Sequence, residues 1–166
     1  MSAEEATQVP LYNSPLETGL RALAVLDAFY PRQFELTELT WFDHLVVHTA
    51  DVGGPPSLHP DLSPRTGELL VRRRLVEESL NLMRQAELVE MLADGNGIRY
   101  LSSDEAPAFL EMLQAPYSVA LKNRAQWLSN HFGAMSRDEI EAVVKERVGR
   151  WTAEFQLPGQ PGDSRP

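Results

Sequence analysis

The chain has 166 residues, 43% of them hydrophobic and 23% charged, a composition that supports one buried core and excludes a disordered chain. Its net charge of -9 opposes unaided binding to phosphate backbones and suits a basic partner surface better. With no cysteine in the sequence, disulfides, thiolate zinc sites and cysteine nucleophiles are excluded together.

Residues 1–10 are polar and acidic, carry no basic-plus-apolar leader pattern, and read as a disordered N-terminus. No apolar run approaches membrane-spanning length, so the expectation is a cytoplasmic protein without membrane contact. Ser14-Pro15-Leu16-Glu17 then starts a helix: Ser14 can accept the Glu17 N–H, and Pro15 fits the first helical position. Leu16, Leu20, Leu23 and Ala24 on one side, with Ala22, Val25, Leu26 and Phe29 on another, make this helix central, and Pro31 stops it. Asp27 lies close to that apolar surface as a rim or hydrogen-bonded carboxylate.

A second helix is predicted from Thr37 as N-cap through Thr49, with Leu39, Phe42, Leu45 and Val46 inward. The Gly- and Pro-rich residues 51–67 cannot continue it, and a connection that long is usually functional or mobile. A third helix over residues 68–86 should bury Leu75, Val76, Leu80, Leu82, Met83 and Ala86. Its exposed face should carry Arg72, Arg73, Glu77, Asn81, Arg84 and Gln85. Asp94-Gly95-Asn96-Gly97 between two apolar runs signals a hairpin. Three helices followed by a hairpin is the order of a winged helix.

After the hairpin, Ser102 and Glu105 stand at capping-box spacing before a short helix with Phe109, Leu110 and Leu113 inward. A further helix carries Tyr117, Leu121, Ala125, Leu128 and Phe132, with Gly133 as its C′ residue. Ser136 and Glu139 cap a last helix whose stripe is Ile140, Val144, Val148, Trp151 and Phe155, placed to pair with the previous one. The predicted class is mainly α with a small β-hairpin, a winged-helix-like domain over residues 11–157 extended by C-terminal helices. Residues 158–166, rich in Gly and Pro, read as a disordered tail.

His44 and His48 are four apart with Asp51 one turn on, a spacing open to a divalent metal. No Glu completes a metalloprotease motif and no fourth ligand follows, so partly buried or rim histidines are the reading and no metal is expected. There is no Gly-x-Ser-x-Gly elbow, and neither Gly53-Gly54 nor Gly95-Asn96-Gly97 has the ending of a phosphate loop. Hence no catalytic residue, cofactor or small-molecule substrate is expected. Arg72-Arg73-Arg74 is the one basic cluster; in a winged-helix regulator it would meet DNA. Glu68, Glu77, Glu78 and Glu87 on the same segment favour solvated or ion-paired arginines, and a protein interface also suits them.

The opening Tyr12-Asn13-Ser14-Pro15-Leu16-Glu17-x-Gly19-x-Arg21, the His59-Pro60 pair, Gly67-Glu68-Leu69-Leu70-Val71-Arg72-Arg73 and the Trp127-to-Phe132 helix carry a family likeness. With the layout of residues 11–155, they make the chain resemble the middle component of ABC-three-component, Lamassu-type, bacterial antiphage systems. The resemblance implies a non-catalytic accessory subunit linking an SMC-like ABC ATPase to an effector, commonly a nuclease, in an assembly that senses foreign DNA. DNA contact would occur only through or within that complex. Arg72, Arg73, Trp151 and Phe155 are the candidate partner-binding residues, with core packing the alternative for the two aromatics. A winged-helix DNA-binding transcriptional regulator is the second reading, and an enzyme built on His44, His48 and Asp51 the third.

Overall fold

The computed structural model describes residues 14–59 and 66–148. Three helices come first: α1 (Pro15–Ala28), α2 (Leu36–Val47) and α3 (Thr66–Gln85), with a 3-10 turn at Thr49–Val52 after α2. An antiparallel hairpin of β1 (Val89–Asp94) and β2 (Gly97–Ser102) follows, then α4 (Ala106–Glu111), α5 (Pro116–Phe132) and α6 (Arg137–Val148). The chain is mainly helical with one hairpin, an order compatible with a winged-helix-like shape. No helix among the described residues is long and apolar enough to cross a membrane.

The start of α1 follows its sequence signal: Ser14 is extended and its Oγ accepts the Glu17 N–H at 3.2 Å. Arg21 through Leu26 are all buried, so α1 is central and packs chiefly on α3 and α5. Gly19 allows that approach, because a Cβ added there would lie 2.7 Å from Met83 Cε. The helix closes earlier than Pro31 alone dictates, with the Phe29 N–H donating to Val25 O.

The second helix starts at Glu35 rather than Thr37: Glu38 Oε1 accepts the Glu35 N–H at 3.1 Å. Thr37 is the second residue of the helix, where its Oγ1 accepts a hydrogen bond from Arg73 Nη1. Every residue from Glu38 to Val47 is buried, which makes α2 the axis of the molecule. On one side of it Phe42 meets Phe29, Phe34 and Phe132 with ring centroids 5.0, 5.2 and 5.9 Å away. These rings join the end of α1, the α1–α2 link and α5, each burial worth about 1.5–3 kcal/mol.

The buried stripe of α3 is Val76, Ser79, Leu80 and Met83, while Leu82 is 38% exposed and Ala86 is exposed. The expected Leu82 and Ala86 positions face outward because the last turn of α3 leads out into the hairpin. Phe34 bridges Tyr100 of β2, tying the α1–α2 link to the hairpin. The α4 start lies later than the Ser102 spacing indicated: Glu105 is the N-cap without a side-chain cap bond, and its N–H donates to Ser103 Oγ just before it. Leu121, Ala125, Leu128 and Phe132 are the buried stripe of α5 as expected, but Gly133 at φ -60° does not use the left-handed conformation. Ser136 Oγ accepts the Glu139 N–H at 3.2 Å and starts α6 as its spacing indicated. Ile140 and Val144 are buried, and α6 leans mainly on the Thr49–Val52 turn rather than pairing its stripe with α5.

Candidate functional site

Opposite the phenyl rings, α2 presents polar side chains that are also buried. Asp43, 2% exposed, accepts Arg21 Nε on Oδ1 at 2.7 Å and Arg72 Nη1 on Oδ2 at 2.6 Å. Arg21 comes from α1 and itself donates through Nη2 to Thr18 Oγ1 at 3.1 Å. Burial disfavours both charges, yet each is held ionised by the other. Desolvation alone would raise the Asp43 carboxyl, and the Arg21 and Arg72 guanidiniums override it and hold it below the usual carboxylate range. Desolvation likewise works against the Arg21 cation, and Asp43 overrides it and raises its pKa.

One residue along α2, His44 lies tilted against His48 with ring centroids 4.5 Å apart, and His44 Nε2 lies 3.1 Å from Asp51 Oδ2. The connector returns through Leu58 and His59, whose N–H groups both donate to Val47 O, so His59 lies beside His48 at 6.2 Å between rings. His59 Nε2 is hydrogen-bonded to the Tyr117 hydroxyl of α5 at 2.7 Å. Burial, then the nearby Arg21 and His48 and Arg72, push the His59 imidazole down to about 4, against the pull of Asp43. The connector is fastened further by Thr49 Oγ1 donating to Pro55 O and by Arg124 Nη2 donating to Pro56 O at 2.9 Å.

His44, His48 and Asp51, at metal-like spacing, form a tilted ring pair and a His44–Asp51 hydrogen bond. Among the described residues no group of three or more His, Cys, Asp or Glu side chains is arranged to hold a metal ion. The arrangement joins α1, α2, α3, α5 and the connector.

Arg72 is ion-paired and Arg73 hydrogen-bonded across to α2. Asp43 and Thr37 of α2 take them, which leaves Arg74 as the exposed member of the triplet. Trp151 and Phe155 lie outside the described residues. Asp27, the charge flagged on α1, is half-exposed, with its carboxyl pushed up by desolvation. The buried charge on α1 is Arg21, and Asp43 and Tyr117 are further members that sequence reasoning missed. The available signal was Arg21 itself, a cation between Leu20 and Ala22 on a helix apolar on several sides.

Three of the four stretches that carry the family likeness therefore meet in space, through Arg21, His59 and Arg72. No curated protein and no solved structure matches the chain significantly. Residues 11–154 match the family described as ABC-three component (ABC-3C) system Middle Component 2. That match covers every described element, and by it the chain belongs to the ABC-3C Middle Component 2 family.

Proposed function

We propose that the chain is a non-catalytic accessory subunit linking an SMC-like ABC ATPase to an effector, a nuclease, in a Lamassu-type antiphage or antiplasmid complex in the cytoplasm. Family membership across residues 11–154 carries this reading. The polar cluster supports it, because its arginines and histidines are engaged in holding helices together. ATP hydrolysis and effector chemistry belong to the partners, and DNA is met through or within the complex. Trp151 and Phe155 are the proposed partner contacts, aromatic anchors near the end of the last amphipathic stripe.

Co-expression with the neighbouring genes and pull-down on this chain tests the proposal, and both partners are expected to co-purify. Trp151→Ala should abolish co-purification while leaving the thermal melt of the isolated subunit nearly unchanged; a large drop in melting temperature would assign Trp151 to the core. Deleting the gene should remove protection against phage or plasmid, and full protection after deletion would refute the adaptor role. The isolated protein should bind duplex DNA only weakly and lose that binding as salt rises.

A further inference from the structure

Tyr100 uses both its backbone groups on Phe34, donating at 2.8 Å and accepting at 3.1 Å, on the side of β2 away from β1. Its partner across the hairpin is Met91. The Tyr100–Met91 pair is therefore a non-hydrogen-bonded one, and the Met91 N–H and C=O point to the far edge of β1. The alternation of two adds Val89 and Ala93 to that edge. Among the described residues the sheet holds β1 and β2 alone, and no backbone hydrogen bond from outside the hairpin reaches Met91 or Ala93.

Edges of this kind are guarded by charged side chains, lysine above all, by proline or by a bulge, and the charges on β1 are Glu90 and an Asp94 already paired with Arg99. The strand Val-Glu-Met-Leu-Ala-Asp has no lysine or proline, and its ladder runs unbroken from Val89↔Ser102 to Asp94↔Gly97. On the face shared with Tyr100, Met91 and Ile98 are 37% and 51% exposed. On the opposite face Glu90 is exposed, and Glu87 is exposed at the foot of the strand.

We propose that the free edge of β1 docks an extended segment of a partner subunit as a third strand, a segment that alternates apolar and basic residues. The outward backbone groups at Met91 and Ala93 require extended backbone opposite them. Met91 and Ile98 select apolar side chains on one face, and Glu90 with Glu87 selects Lys or Arg on the other. The same acidic groups, with the net charge of -9, oppose a second copy of this chain as occupant. That the segment comes from another component of the same system rests on the proposed function above.

Ala93→Pro tests the edge, because the lost N–H points outward and the β1–β2 ladder keeps its own hydrogen bonds. In the co-expressed complex this variant should reduce recovered partner roughly tenfold or more, whereas Ala93→Thr, which keeps the N–H, should not. Amide hydrogen exchange on the wild-type chain is the second measurement: Met91 and Ala93 should slow in the complex while Ile98, on the other edge, stays fast. A complex that survives Ala93→Pro with unchanged exchange at Met91 and Ala93 overturns the edge and leaves the adaptor reading intact. Absence of any complex with the wild-type chain overturns both. A dimer of the isolated chain that Ala93→Pro dissolves assigns the edge to a second copy and also overturns the proposal.

Discussion

Phe42 and Asp43 are neighbours on α2, both at or below 2% exposure, and they sit in opposite kinds of interior. Phe42 packs among rings from α1, α5 and the Phe34 link. Asp43 is held by cations from α1 and α3. Dispersion and water exclusion on the first side are non-directional and degrade by increments as atoms are removed. The second side is all or nothing, because a buried ion whose partner is deleted keeps its desolvation cost. A helix buried on every side can thus bind its neighbours by two kinds of interaction that fail differently.

The largest effect is expected at Asp43. Asp43→Ala should cost about 3–5 kcal/mol by leaving Arg21 buried without its carboxylate, read from urea unfolding. Replacing Arg21, Asp43 and Arg72 together by Met, Leu and Met should restore most of that loss. If the triple variant is as unstable as Asp43→Ala, the all-or-nothing description of the polar side is wrong. Phe42→Ala should cost a similar amount, about 3–5 kcal/mol, yet Phe42→Leu should cost less than about 1.5 kcal/mol. Asp43→Asn, although isosteric with the native residue, should remain far more damaging than Phe42→Leu.

The histidine contact is smaller and depends on pH. His59 has a folded pKa of about 4, below the ordinary histidine value, so the unfolded chain binds its proton more readily. The associated stability is therefore fully present above about pH 6.5 and is lost as pH falls toward 4. His59→Gln should flatten that part of the stability curve, and Tyr117→Phe should remove about 1 kcal/mol at neutral pH. An identical pH profile for wild type and His59→Gln would remove His59 from the account.

The smallest effect concerns the turn from α3 into β1, where Glu87 has φ 61°. Its N–H donates to Arg84 O and the Leu88 N–H to Met83 O, a helix-ending pattern that favours glycine. Glu87→Gly should stabilise the fold by up to about 1 kcal/mol, measured by thermal melting.

Where the deciding contacts are local, the sequence was a good guide. Ser14 and Ser136 cap their helices at the spacings that announced them, and Asn96 donates its N–H to Asp94 Oδ1 in the hairpin tip. Boundaries slipped where two residues compete for one role, as Glu35 against Thr37 and Glu105 against Ser102. The polar cluster was hidden for a different reason. Arg21, Asp43 and Arg72 belong to three helices, and their spacing along the chain follows no period. Intrahelical glutamates were the visible partners for Arg72, but a buried carboxylate from another helix wins because no water screens it.

The seat of Gly54 has an optical consequence. A Cβ there would lie 2.8 Å from Trp127 Cζ3 and Cη2 and 2.9 Å from Thr49 O, so the indole of α5 lies directly on the returning connector. The same indole stacks on His131 at 4.8 Å. Trp41 is fully buried elsewhere in the core, so the emission of Trp127 is the one that should respond to lifting of residues 53–59. In a Trp151→Phe background, fluorescence of the isolated subunit that moves to longer wavelength before the main unfolding transition would make Trp127 a built-in gauge of whether the connector is seated.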